Sequence, residues 1–335
     1  MDQATALRLH EAMLLTRLTE ERLVKLFRQG KTLGSIYRSL GQEATACATA
    51  MALGPEDVIA PLIRNLGSMF VRGVQPEEIF LQYLGRATGP TGGRDHNNHF
   101  GSISRGIVAT SSMLGALIPV MAGVALSFRQ RGERRVAMTW IGDGGSSTGA
   151  FYEGLNFAVV QKLPLIVVGE ANGFAFSTPP ERQMAGRLSA RAQGAFTLTV
   201  DGNDAAAIYA AAAQARQLCL DGKGPVFLVC ETFRLSGHAE HDDQHYVDPA
   251  LLEEWQRKDP LPRFEAWMAQ RHWAPETGLA GRLAAALEAA SERALAAPWP
   301  DPTSLEVGVF TPPPPVAGHD DPVIHNETSV TFKAV

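Results

Sequence analysis

Residues 141–179 read "IGDGGSSTGAFYEGLNFAVVQKLPLIVVGEANGFAFSTP", and the fold is decided there. The apolar run 136–141 closes on Gly142-Asp143-Gly144, a helical pattern covers about 149–162, and a second apolar run, 164–170, closes on Asn172-Gly173. Apolar runs of strand length that alternate with helices predict parallel strands buried on both faces. Outward from this unit the pattern persists. The small-residue apolar segment 111–132 predicts a buried helix before the first strand, and 205–222 followed by 224–233 predicts a further helix and strand. The fold class is therefore α/β, a parallel sheet with helices on both faces.

In such a sheet ligands sit beyond the carboxyl ends of the strands, where glycines allow close approach and helix N-termini favour anions. Asp143 and Asn172 both fall there, 29 positions apart and on neighbouring strand ends. One carboxylate and one amide oxygen suit Mg²⁺ holding a phosphate group. Each motif taken singly also reads as a turn, Asp143 as a helix cap and Asn172-Gly173 as a tight turn. Their conjunction after consecutive strands favours the ligand site.

Around this centre, helices are predicted at 3–29, 41–53 and 76–85, and helical patterns return in 263–273 and 278–298. The stretch 89–106, rich in Gly, Asn, Asp and His, reads as a loop ordered by contacts or by a ligand. The organisation is a helical arm at 1–40, the α/β domain at 41–297 and a Pro-rich tail at 298–335. Thirty-five acidic residues against 30 basic ones, a net charge of -5, exclude a general polyanion binder such as a nucleic-acid protein. The three cysteines, Cys47, Cys219 and Cys230, are too scattered for a disulfide framework or a zinc motif. The opening residues lack a signal-peptide pattern and no apolar run is long enough to span a bilayer, which points to the cytoplasm.

The blocks "SIYRSLGQEATACATAMAL", "GGRDHNNHFG", "SSMLGALIPVMAGVAL", the Gly-Asp-Gly with its distant Asn, and "ETFRLSGHAEHDD" occur in an order that resembles the alpha subunit of thiamine diphosphate-dependent 2-oxoacid dehydrogenases, over roughly residues 5–295. The resemblance implies thiamine diphosphate and Mg²⁺ as cofactors. It implies that Asp143, the side chain of Asn172 and the backbone carbonyl of Phe174 bind Mg²⁺, that Arg64 contacts the diphosphate, and that Gly144 and Gly145 lie against it. Ser112 and Leu114 would meet the aminopyrimidine through backbone groups. His238 matches the active-site histidine, with Arg234 its basic neighbour and its proton exchangeable near neutral pH. The family activity is decarboxylation of a 2-oxo acid, pyruvate or a branched-chain one, with acyl transfer to lipoamide. It requires a separate beta subunit in an alpha2beta2 assembly, with a lipoyl-bearing acyltransferase downstream. Ile63 stands where the family usually has Tyr, Thr148 where an acidic residue is common, and Ala116 and Leu117 where a monovalent-cation site would be.

Other readings compete. An acetoin dehydrogenase-type alpha subunit would use the same cofactor site, and a scaffold subunit would keep the fold without activity. His238, His241 and His245, at i, i+3 and i+7 beside Asp242 and Asp243, would bind zinc if they shared a helix face. The final "HNETSVTFKAV" resembles the opening of family beta subunits, which suggests an alpha-beta fusion.

Overall fold

The computed structural model describes residues 1–309. They divide into a compact unit, Met1–Pro300, and a second unit of which the described part, residues 301–309, holds one short turn of 3₁₀ helix, Pro302–Ser304. The segment 325–335, read above as the opening of a beta chain, lies outside the described residues.

In chain order the first unit contains α1 (Gln3–Arg28), α2 (Glu43–Met51), β1 (Val58–Ala60), α3 (Leu66–Val71), α4 (Pro76–Tyr83), α5 (Leu117–Gln130), β2 (Ala137–Gly142), α6 (Gly149–Val160), β3 (Leu165–Ala171), β4 (Phe196–Asp201), α7 (Ala205–Leu220), β5 (Val226–Glu231), α8 (Pro249–Gln256), α9 (Pro260–Ala269) and α10 (Leu279–Ala296). The five strands form one wholly parallel sheet in the order β1-β2-β3-β5-β4. β2, β3 and β5 are the three strands legible as apolar runs, because they are central and buried on both faces. The reading missed β1 and β4, which sit at the edges. β1 is three residues long, and β4 is half-exposed and reads FTLTVD, so neither carries a continuous apolar signal.

Side chains alternate across the sheet, as a period of two requires. Met138, Trp140, Ile166, Val168, Leu228 and Cys230 enter a core with α1, α2, α4, α7 and α10. Ala137, Ile141, Leu165, Val167, Phe227 and Val229 enter another with α5 and α6. Each large apolar side chain buried this way contributes roughly 2 kcal/mol. α1 is capped by Asp2, whose carboxylate accepts from the Thr5 amide at 2.8 Å, and it buries Leu9, Met13, Leu23 and Leu26. Its Arg17 reaches across to Glu43 at 2.7 Å and Asp259 at 2.8 Å, joining α1, α2 and the start of α9 through a largely buried ion network. The helix expected over 111–132 begins only at Leu117. Gly115, at φ +81°, breaks the helical path, and residues 111–114 are left as a loop at the sheet's carboxyl end.

Candidate active site

β2 and β3 are paired with Gly142 opposite Glu170, so the residues that follow each strand emerge side by side. Asp143 and Asn172 line one cleft of about 650 Å³, together with Arg64, Gly144, Gly145, Ser112, Leu114, Phe174, Arg234 and His238. The structure therefore brings together every residue that the family resemblance assigned to the cofactor site. Asp143 and Phe174 also border a neighbouring cavity of about 540 Å³, but that one has neither Arg64, His238, Gly144 nor Gly145 among its walls.

Asp143 is 2% exposed, and neither of its carboxylate oxygens closes a hydrogen bond. Burial pushes its pKa up to about 6, softened by the nearby Gly173 amide, the positive field of Arg234 and the Asn172 amide. Asn172 donates its amide Nδ2 to Gln42 Oε1 at 3.1 Å and leaves Oδ1 buried without a partner. Three buried, unsatisfied, hard oxygens at two adjacent strand ends are what a divalent cation would satisfy. Gly144 and Gly145 border the same cleft, and the protein's own packing leaves no room for a side chain at either position. A Cβ on Gly144 would lie 2.9 Å from Ala175 Cβ, and one on Gly145 2.4 Å from Ile141 Cδ1. Gly173, at φ +90°, turns the chain between Asn172 and Phe174. Residues and cofactor thus fit.

Two arginines line the same cleft. Arg64 donates to the Arg38 carbonyl at 2.9 Å and, through one nitrogen, to the His238 carbonyl at 2.5 Å and His238 Nδ1 at 3.2 Å. Burial lowers its pKa to about 10, with Arg234 adding to the effect, so it remains a cation at neutral pH. Arg234 donates to the carbonyls of Ser236 at 2.9 Å and Phe176 at 2.8 Å and to Tyr246 Oη at 2.5 Å; Tyr246 in turn donates to Asp242 at 2.7 Å. Asp242 also takes the His238 backbone amide at 2.5 Å, which ties the histidine loop to Arg234.

His238 departs from the expectation of a proton exchanged near neutrality. Burial, then the charges of Arg64 and Arg234, push its pKa down to about 4. It is neutral at pH 7. Because a guanidinium only donates, Nδ1 is the accepting nitrogen and Nε2 carries the hydrogen. The ring is held edge-on by Phe176 at 4.6 Å and Tyr37 at 5.3 Å between centroids. These two aromatics, on the loops 31–42 and 173–178, carried no sequence signal of their own.

The zinc reading fails. Residues 238–246 form turns, with Gln244 at φ +62°, so His238, His241 and His245 share no helix face. His241 meets Ser35 Oγ at 3.1 Å, while exposed His245 pairs with Asp243 at 2.7 Å. Among the described residues no group of three or more His, Cys, Asp or Glu is arranged to hold a metal. Behind Ser112, which lines the cleft, an array without a motif of its own joins Asp95 to His99 Nδ1 at 3.2 Å and His99 Nε2 to Ser112 Oγ at 2.8 Å. Its only trace in sequence is the His-rich loop itself.

A doubly covered parallel sheet whose carboxyl edge joins a buried carboxylate, two glycines and two arginines in one cleft has the layout of an α/β enzyme that binds its ligand beyond the strand ends. The model of the dehydrogenase E1 component family matches residues 10–303, and the chain belongs to that family, whose cofactor is thiamine diphosphate and whose members are oxidoreductases acting on 2-oxo acids. The chain is 38% identical over 270 residues to the pyruvate dehydrogenase E1 component subunit alpha of Bacillus subtilis (strain 168), covering 79% of this chain and 70% of that protein. It is 37% identical to the proteins of the same name from Bacillus cereus, over 79% of this chain, and Staphylococcus aureus (strain Mu50 / ATCC 700699), over 78%, in each case covering 70% of the relative. No described helix is long and apolar enough to cross a membrane.

Proposed function

We propose that this chain is the alpha subunit of a 2-oxoacid dehydrogenase that decarboxylates pyruvate or a close analogue, with thiamine diphosphate held through Mg²⁺ in the 650 Å³ cleft. The observation that carries the reading is the trio of buried, unpartnered oxygens, two on Asp143 and Asn172 Oδ1. In this reading they and the Phe174 carbonyl hold Mg²⁺, Arg64 and the Gly144-Gly145 backbone hold the diphosphate, and Ser112 and Leu114 border the aminopyrimidine. The cofactor supplies the electron sink that decarboxylation of a 2-oxo acid requires. The protein supplies positioning and charge. Neutral His238, donor at Nε2, stabilises negative charge developing on the substrate oxygen without giving up its proton to bulk water. Arg64 and Arg234 hold it neutral and fixed.

The relatives' names carry pyruvate to this chain, and a branched-chain 2-oxo acid is the other substrate to compare. Completion of the site by a beta subunit is supported by exposed apolar side chains on the rim and on α5 and α6: Met113, Leu114, Val120, Phe157 and Val160 are all more than 40% exposed. An alpha2beta2 assembly in the cytoplasm, passing acyl groups to a lipoyl-bearing acyltransferase, follows from this reading, with 1–40 as helical arm, 41–297 as cofactor domain and 298–335 as a Pro-rich tail or linker. The test is calorimetric titration of thiamine diphosphate, with and without Mg²⁺, into the chain together with its beta partner. Saturable Mg²⁺-dependent binding lost in Asp143→Ala is expected, followed by decarboxylation of pyruvate. Mg²⁺-independent binding, or none, overturns the reading.

A further inference from the structure

Gln42 is a buried polar residue that the site described so far leaves without a role. It caps the N-terminus of α2, is 1% exposed, and is fixed by its backbone: its amide donates to the Ser39 carbonyl at 2.7 Å, and its carbonyl accepts from the Thr45 amide at 3.0 Å and Thr45 Oγ1 at 2.8 Å. Its side chain makes a single hydrogen bond, Oε1 accepting from Asn172 Nδ2 at 3.1 Å, while Nε2 is buried with no partner.

An asparagine amide has two unlike ends. Asn172 offers an oxygen to a cation only if its NH₂ group points elsewhere, and a buried NH₂ needs an acceptor. Gln42 Oε1 is that acceptor. Were the pair reversed, with Gln42 donating to Asn172 Oδ1, the Asn172 NH₂ dipole would present its positive end to the cation. We propose that Gln42 is a positioning residue for the cation site, its amide oxygen holding the Asn172 side chain so that Oδ1 faces the cleft it shares with Asp143. The inference rests on the Mg²⁺ reading above and extends it to a residue outside the ligand set, in the manner of partners that orient metal ligands from one shell out.

The test titrates Mg²⁺ at fixed thiamine diphosphate into the chain with its beta partner, following heat release, for native protein, Gln42→Met, Gln42→Glu and Asp143→Asn, alongside melting temperatures without metal. Methionine keeps the volume and removes the acceptor; glutamate, titrated at a pH where it is ionised, accepts through both oxygens and cannot donate to Asn172. The half-saturating Mg²⁺ concentration is expected to rise roughly 10- to 100-fold in Gln42→Met, the order typical of losing such a partner, with native-like melting in the absence of metal. Gln42→Glu is expected to restore the native response. A native half-saturation in Gln42→Met, or equal losses in Met and Glu variants, overturns the role of Gln42 while leaving the cation reading intact. A native protein that ignores Mg²⁺, with Asp143→Asn binding the diphosphate as well as native, overturns the cation reading itself.

Discussion

Replacing Asp143 by Asn should make the metal-free protein more stable while removing cation binding. Asp143 is 2% exposed with both oxygens unpartnered, and its pKa stands at about 6 against 3.8 for a free aspartate. A folded-state pKa above the unfolded one means that the native state binds the proton more tightly. The native protein therefore loses stability as pH rises from about 4 through about 6, and the whole penalty is present above that. About two pKa units at ~1.4 kcal/mol each give roughly 3 kcal/mol. With an unfolding entropy of about 2.1 cal/mol/K per residue, this corresponds to about 5 °C in Tm for a unit of this size. Asparagine is neutral at every pH and has nearly the same shape. Thermal unfolding in a chelator, native against Asp143→Asn, should show the variant higher by about 5 °C at pH 8, with the gap closing toward pH 4. Saturating Mg²⁺ and thiamine diphosphate should reverse the order at pH 8 by stabilising only the native protein. A variant that melts at or below native at pH 8 without metal would refute the claim that burial leaves this carboxylate only partly compensated in the absence of a cation.

Other consequences are as specific. Arg64→Met should raise the Kd for thiamine diphosphate at least tenfold, since hydrogen bonds to charged groups contribute about 1.5–3 kcal/mol, and removing a cation 3.2 Å from His238 Nδ1 should move the histidine pKa upward from about 4, visible by NMR of labelled histidine. An unmoved pKa would mean that burial alone sets it. Gly173→Ala should lower Tm by a few degrees and weaken Mg²⁺ binding, because φ is +90° and the new Cβ would lie 2.9 Å from the Phe233 ring; unchanged binding would show that this turn does not set the Asn172 geometry. Arg17→Met should cost about 3–5 kcal/mol at pH 8 by leaving Glu43, fully buried, and Asp259 uncompensated. That loss should shrink on acidification, because burial already raises the Glu43 pKa and the protonated carboxyl needs no counter-charge; denaturant unfolding at pH 5 and pH 8 checks both signs.

The central sheet and the ends of its strands are legible in the amino-acid pattern alone. β2, β3 and β5 are apolar throughout because both faces are covered, and Gly-Asp-Gly and Asn-Gly mark where the chain turns at the strands' carboxyl ends. Local chemistry decides such features, so they are visible locally. The edge strands were not, since β4 exposes alternate residues and β1 spans only three. The electrostatics arise from contacts that folding makes between distant residues. Folding set Arg64 against His238, 174 positions away, which turned a residue with an ordinary titration into a permanently neutral donor at pH 7. It likewise brought Gln42 to Asn172 across 130 positions and dismissed the zinc stripe by folding 238–246 as turns. A pKa and the direction in which an amide points depend on burial and on neighbours distant in the chain, and no spacing of residues encodes them.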